Sequence, residues 1–437
     1  MATKQYHIIT YGCQMNKSDD ERIAGLLEKK GWQKAEKMGE ADLIVANMCS
    51  VRQSAVDRIY GLIPKFKELK KRNPRLKTIA TGCILSKDKR KLSEKIDYIL
   101  KKEELKKWEK VIASHFEGKD TPFSSFFQIE PLYSSRFSAS IPLSNGCSMY
   151  CSYCAVPFTR GKEICRPHTE IIKETKSLTQ KGYKEIWLLG QIVNSYRSPS
   201  NPRIGLAEII KQVNSFPGKF WLRFTSPHPA FFNDKLIKTI AESEKFNPYL
   251  NLPLQSGDNE ILKKMERGYS IEEYVALVEK IRKAFRKYRK GLEKTIALST
   301  DIIVGFPGET EKQFRNTIKI FKKIGFDMAY IAQYSPRSGT KAAKMPDNVP
   351  KEEKKQREKK LSEFLQKSAL KRNKAFIGKK ITVLPFEYKK GYLFGKSFHY
   401  KTVRFKGSKT LLGEFVKVDI TKALAWGLEG RICGSNR

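Results

Sequence analysis

Acidic side chains are scarce in this chain: 46 against 85 lysines and arginines, a formal charge of +39. A surface so poor in negative charge favours a polyanionic partner, of which nucleic acid is the usual one. A general bias toward basic residues would give the same excess, so charge ranks functions without choosing one. Long apolar runs are missing too, and none approaches the roughly 20 uncharged apolar residues of a membrane span. Met1-Ala2-Thr3-Lys4 leads into an expected strand without the apolar segment or small-residue cleavage site of a signal peptide. A cytoplasmic protein without a membrane partner is therefore expected. Cysteine is sparse, eight in 437 residues and in dissimilar contexts, which excludes a disulfide scaffold and points to metal binding or catalysis.

What is present is an ordered series of β-rich runs. Three of them end in cysteine within the first ninety residues: His7 to Cys13, Leu43 to Cys49 and Thr78 to Cys83. Helical patterns over 19–30 and 53–71 separate them, so residues 1–117 read as a βαβαβ domain with an open parallel sheet. Ligands of such sheets collect beyond the strand carboxyl ends, where all three cysteines fall. Three unrelated core thiols are the plain alternative, because free cysteine is among the most buried residues.

Residues 118–137, with Thr121-Pro122, Glu130-Pro131 and several serines, read as a linker. Strands are then expected at 139–143, 185–190, 220–225, 249–254, 297–304 and 328–334, with helices at 169–181, 206–215, 271–287 and 311–324. Six βα repeats within 138–345 suggest a parallel sheet curled into a partial (β/α)6 barrel, a doubly wound open sheet being the alternative. A basic helical segment over 346–374 leads to short strands over 375–437, punctuated by glycines, which read as a small β-barrel. Residues 341–437 carry 25 basic and 9 acidic side chains. With Tyr388, Tyr392, Phe398 and Tyr400 set among the lysines, this end has the composition of an RNA-binding appendage; a solvated cap would look similar.

The chemistry concentrates at Cys147-Ser148-Met149-Tyr150-Cys151-Ser152-Tyr153-Cys154, a C-x3-C-x2-C run just after the first barrel strand. Three thiolates on one loop hold three irons of a [4Fe-4S] cubane and leave the fourth without a protein ligand. That iron can chelate the amino and carboxylate groups of S-adenosylmethionine (SAM), and one electron from the cluster then cleaves the sulfonium. Cys151, Cys154, Cys165 and His168 also spell an acceptable zinc spacing, which leaves Cys147 unused. SAM contacts are expected at Tyr153, at Gln191 closing the second barrel strand, and at Gly305 and Gly308 in the turn after the fifth. Thr310 and Gln313 there form a capping box for the next helix.

With these residues the chain resembles the radical-SAM methylthiotransferases over nearly its whole length, most closely the branch acting on dimethylallyl-adenosine in tRNA. The resemblance is carried by Thr10-Tyr11-Gly12-Cys13-Gln14-Met15-Asn16, Cys49-Ser50-Val51-Arg52, Gly82-Cys83, the central triplet with Val156-Pro157 and Arg160-Gly161, Arg223 to Pro229, Leu252 to Gly257, Gly305 to Thr310 and Tyr334 to Thr340. It implies a second [4Fe-4S] cluster on Cys13, Cys49 and Cys83, a TRAM domain contacting tRNA, and two SAM molecules per turnover. One methylates sulfur held at the auxiliary cluster; the other is cleaved, and hydrogen is taken from carbon 2 of the adenine. Ordinary acid–base chemistry does not reach that carbon, so no catalytic residue beyond the cluster ligands is expected. The implied partners are a tRNA anticodon stem-loop, a one-electron reductant protein and a sulfur donor, with the enzyme a monomer. A relative acting on an aspartate of a ribosomal protein is the nearest alternative; a non-catalytic RNA-binding metalloprotein is the alternative from another class. Cys165 stands where the family usually has serine, and Ile192 where it has asparagine, which puts in doubt a SAM or substrate contact at position 192.

Overall fold

The computed structural model describes residues 4–113 and 125–434, so positions 118–124 of the expected linker lie outside the described residues. Strands β1 (Gln5–Tyr11), β2 (Leu43–Cys49) and β3 (Lys77–Cys83) form the middle of a parallel sheet, with helices α1 (Gln14–Lys29) and α2 (Gln53–Arg72) crossing over between them. Two-residue strands, Gln33–Lys34 and Tyr98–Ile99, extend the sheet at its edges. All seven residues of β2 are buried, as a central strand covered on both faces requires.

Helix α1 starts at Gln14, five residues ahead of the periodic signal. Its first turns carry Asn16, Ser18, Asp19, Glu21 and Arg22, all buried, so hydropathy conceals the helix there. Asn16 bonds within its own domain, whereas Ser18, Asp19, Glu21 and Arg22 are buried because they meet the chain beyond it. Arg22 pairs with Glu174 at 3.1 Å and donates to the Ile129 carbonyl at 3.1 Å, while Glu21 accepts from Ser134. The described part of the expected linker, 125–137, is thus packed along α1, with Phe126 and Ile129 in the N-terminal core.

The six expected barrel strands all form: β4 (Ser138–Pro142), β5 (Glu185–Leu189), β6 (Trp221–Phe224), β7 (Tyr249–Asn251), β8 (Ala297–Val304) and β9 (Met328–Gln333). They lie in chain order as two three-stranded parallel sheets, joined where Leu222 bridges to Phe246. The sheet curls without closing, a partial barrel. Helices at His168–Gln180, Leu206–Asn214, Asp234–Glu242, Ile271–Tyr288 and Glu311–Ile324 cover its outside. The Thr310/Gln313 capping box starts the last of these as expected.

A 24-residue helix, Lys351–Lys374, packs Leu361 and Leu365 into this core and leads to a closed five-stranded β-barrel over Lys380–Ile432. Two aromatic expectations need correcting there. Phe398 and Tyr400 are not offered to solvent: Phe398 packs on Trp221 (ring centroids 5.5 Å) and Tyr400 on Tyr249 (4.6 Å) and Trp187 (5.3 Å). They sit on a turn after the strand Tyr392–Ser397, and Tyr400, at φ +63°, pushes its ring into the foot of the larger barrel. Tyr388 remains exposed. Among the described residues, no helix is long and apolar enough to cross a membrane.

Candidate functional site

The N-terminal cysteines do meet at one end of their sheet. Cys49 and Cys83 are register partners on β2 and β3, adjacent parallel strands about 4.8 Å apart. The two thiols titrate as a pair: the interaction with Cys49 pulls the Cys83 thiol down, and the same interaction with burial pushes Cys49 up. Cys13 caps α1 from the neighbouring strand end and is the exposed member of the three. Gly82, at φ +96°, makes this possible, because a Cβ there would lie 2.2 Å from Asn47 Oδ1 and 2.4 Å from the Met48 carbonyl. Beneath the thiols, Asn16 donates to Asn47 (2.8 Å), Asn47 donates to Asp20 (2.6 Å), and Thr10 bonds the other Asp20 oxygen.

Burial raises the Asp20 carboxyl to about 8, against the pull of the Thr10 and Asn47 hydrogen bonds. The folded state therefore holds a proton that the unfolded chain, titrating near 4, gives up. Between about pH 4 and pH 8 folding takes up this proton, so its contribution to stability falls as pH rises; above pH 8 it is constant. Asp20→Asn mimics the neutral acid. Urea midpoints of the variant minus wild type are expected to grow across this window, and a flat difference would refute the assignment.

The central triplet follows β4 on a loop held closed at its base. Gly146, at φ +82°, lets the Cys147 amide donate to the Gly161 carbonyl at 3.0 Å, where a Cβ would stand 2.1 Å from the Lys162 carbonyl. Cys147 and Cys151 are buried and Cys154 half-buried; burial pushes Cys147 up to about 11 and Cys154 up to about 12. As free thiols these two keep their protons at neutral pH, and iron would displace them. Arg267 Nη1 donates to Cys151 Sγ at 3.3 Å, and Arg160, just past the triplet, reaches the other one: its Nε donates to Cys83 Sγ at 2.9 Å. Six thiols free of disulfides, grouped three and three, each group with a guanidinium donor, suit clusters bound through thiolate.

The zinc spacing does not assemble. The His168 ring bonds Ser198 Oγ at 2.9 Å, Cys165 lies in a short strand paired with Ser144, and among the described residues no three metal-ligating side chains close on a single ion. A cubane differs from an ion in this respect, since it meets each thiolate with a separate iron.

A cavity of about 390 Å³ opens beside Cys13 of the N-terminal triplet, over the strand ends of the central domain. The N-terminal domain roofs it with Gly12, Cys13, Gln14, Met15 and Arg52; Gly190, Gln191, Thr225 and Ser226 line it from strand ends; Tyr400 of the C-terminal barrel reaches its foot. Inside, Tyr249, Ser299, Asn251 and Asp301 form a hydrogen-bonded ladder, with Asn251 donating to Asp301 at 2.9 Å and burial raising the Asp301 carboxyl. A second cavity of about 160 Å³ shares Tyr249, Tyr330 and Tyr400 with the first and continues to Trp426, which is 55% exposed on the C-terminal barrel.

Of the expected SAM contacts, Gln191 lines the chamber and Tyr153, Gly305 and Gly308 do not. Tyr153 is half-buried beside Arg267 and Tyr269. The Gly305 amide donates to Glu309 (2.6 Å) and that of Gly308 to Asn348 (2.8 Å), so both are already engaged. Ile192 is buried next to Gln191 and does not line the chamber. Sequence reasoning missed Arg267, Asn251, Asp301 and Tyr330. A signal existed for Ser299 and Asp301, polar residues two apart in the apolar strand β8, which places both on one face.

Three family models match the chain in order: Uncharacterized protein family UPF0004 over residues 5–100, the Radical SAM superfamily over 141–321 and the TRAM domain over 377–433. The tRNA-2-methylthio-N(6)-dimethylallyladenosine synthases of Syntrophomonas wolfei subsp. wolfei, Clostridium novyi and Dictyoglomus thermophilum are 39%, 40% and 38% identical to it, over 98% of this chain and 97%, 96% and 98% of theirs. Among solved structures, the radical S-adenosylmethionine methyltransferase TsrM from Kitasatospora setae is 16% identical, with a TM-score of 0.56 over 78% of this chain and 74% of its own. The cobalamin-dependent radical enzyme OxsB gives 11% and 0.51 over 78% and 54%; both are likenesses of fold. Identity near 40% along essentially the whole length, through the same three segments in the same order, means that the chain belongs to the radical-SAM methylthiotransferase family.

Proposed function

We propose that this enzyme adds a methylthio group to carbon 2 of dimethylallyl-adenosine next to the tRNA anticodon. One observation carries the reading: Cys13 from the N-terminal triplet and Gln191, at a strand end of the central domain, line one chamber. Sulfur held at the first and a radical formed at the second would then act on the same bound base. Cys13, Cys49 and Cys83 would hold the auxiliary [4Fe-4S] cluster, and Cys147, Cys151 and Cys154 the one that binds SAM. With SAM, the latter cluster supplies the one-electron chemistry that reaches an unactivated C–H bond.

The chain's own residues bind and orient. Gln191 is assigned to the SAM amino group, with Tyr153 enclosing the cluster loop and Gly305 and Gly308 shaping the wall behind it. The Asn251/Asp301 ladder offers a donor and acceptors to an adenine edge. The target nucleotide must leave its stack, at about a few kcal/mol, and the aromatic path past Trp426 and Tyr330 suits a splayed base. Residues 1–117 form the sulfur-donating domain, 118–137 the strap, 138–345 the SAM core, 346–374 the connecting helix and 375–437 the RNA-binding barrel. A monomer in the cytoplasm, served by a one-electron reductant protein and a sulfur donor, completes the reading.

Methyl-labelled SAM, given to the anaerobically reconstituted enzyme with reductant and sulfide, should label dimethylallyl-adenosine tRNA and leave ribosomal protein unlabelled. Affinity for that tRNA should fall steeply between 50 and 200 mM salt, as phosphate contacts require. Label on protein alone would overturn the assignment; tRNA binding without release of 5′-deoxyadenosine would favour a non-catalytic RNA-binding metalloprotein.

A further inference from the structure

Arg160 belongs to the central domain, six residues after Cys154, yet its guanidinium serves both domains. Nε donates to Cys83 Sγ at 2.9 Å, Nη2 to Asp19 Oδ2 at 2.7 Å and Nη1 to Asn145 Oδ1 at 2.9 Å. Asn145 lies two residues before Cys147, and Asp19 six after Cys13, on α1. The side chain is 4% exposed and Asp19 6%, so the contacts are shielded from water and little screened. Lys102 adds a second cation to Asp19 at 2.6 Å. An ion pair built only to hold two domains together would be complete at Asp19. The bond to a thiol sulfur is additional, and it falls on the cysteine deepest in the N-terminal triplet.

We propose that Arg160 is a positioning residue for the auxiliary cluster: it fixes Cys83 against the loop of the central triplet and holds the auxiliary reduction potential up. This rests on the reading that Cys13, Cys49 and Cys83 bind a cluster. Hydrogen bonds to cluster sulfurs and charges near them set reduction potentials, because reduction adds negative charge that a donor cation stabilises. Groups that orient metal ligands from behind typically matter 10- to 100-fold in metal affinity or activity. One guanidinium here does so while also binding the other cluster's loop, so the two centres are held at a fixed separation.

The test is a redox titration of the full, anaerobically reconstituted chain, following each cluster by its electron paramagnetic resonance signal, with iron content measured alongside. Arg160→Gln removes the charge and the bond to sulfur; the auxiliary potential is expected to move negative by more than that of the central cluster. Asp19→Asn keeps the bond to sulfur and removes the anion that offsets Arg160, so the auxiliary potential is expected to move positive. Arg160→Lys, with charge but no fork, should fall between wild type and Arg160→Gln. If Arg160→Gln fails to retain the auxiliary irons, the sign of the Asp19→Asn shift decides. Equal potentials in wild type and Asp19→Asn, or shifts of the same sign in both, would mean a purely structural clamp and overturn the proposal. A wild-type chain that binds only about four irons would instead overturn the two-cluster reading beneath it.

Discussion

Replacing Cys147, Cys151 and Cys154 by alanine is expected to remove about four irons per chain and to reduce 5′-deoxyadenosine release from SAM to background. Replacing Cys13, Cys49 and Cys83 should remove about four others, leave SAM cleavage measurable and abolish methylthio transfer. The asymmetry follows from the placement of the two triplets. The central loop closes on itself through the Cys147 amide and the Gly161 carbonyl, so its three thiols stay on one closed segment without the N-terminal thiols. The N-terminal triplet spans three separate strand ends, two of whose cysteines, Cys49 and Cys83, are register partners on adjacent strands. Iron analysis, absorption spectra and chromatography of the SAM products check both halves. Loss of all irons from either variant would mean that the clusters are interdependent, and retention of methylthio transfer without the N-terminal thiols would remove them from the reaction.

The order of strands was legible because each is a short apolar run with a distinct end. The six barrel strands were placed within about three residues of their observed bounds, and β8 at its observed bounds. What stayed hidden was polar and buried. The first turns of α1 lack an apolar stripe because that surface meets the strap at 125–137 and Glu174 rather than a greasy core. The Asp234–Glu242 helix was not among those expected, although Leu236, Ile237, Ile240 and Ala241 give it an apolar face, whereas the equally short Leu206–Asn214 helix was.

The site divided in the same manner. Cysteine spacing along one loop announces a ligand set, whereas Cys13, Cys49 and Cys83 converge only through sheet register, which spacing in the chain does not encode. The long-range donors Arg160 and Arg267 act at 77 and 116 residues' separation, and no local pattern carries such a contact. Tyr400 shows the opposite failure: an aromatic among lysines suggests a surface that meets nucleic acid, but a left-handed turn at φ +63° sends it inward.

Arg223→Met is expected to destabilise the chain by about 3–5 kcal/mol, as breaking one side of a buried ion pair does. Arg223 is 1% exposed and donates through Nε to Glu185 at 2.7 Å, and through Nη2 to the Ser397 carbonyl of the C-terminal barrel at 3.2 Å. Trp187, Trp221 and Tyr400 surround its guanidinium at 4.7–5.4 Å, an aromatic box contributed by both domains. Methionine fills much of the volume, so the loss isolates charge and hydrogen bonding from packing. Glu185 would be left buried with Ser138 as its hydrogen-bond partner at 2.9 Å and with Lys396 as the remaining nearby cation. Adding Glu185→Gln should then restore more than half of the loss, because a neutral amide tolerates burial far better than an orphaned carboxylate. Urea unfolding followed by the fluorescence of Trp187 and Trp221 measures both steps, and limited proteolysis should release the C-terminal barrel faster from Arg223→Met than from wild type. A double variant no more stable than the single one would place the energy in the aromatic box instead, since that contact is lost equally in both.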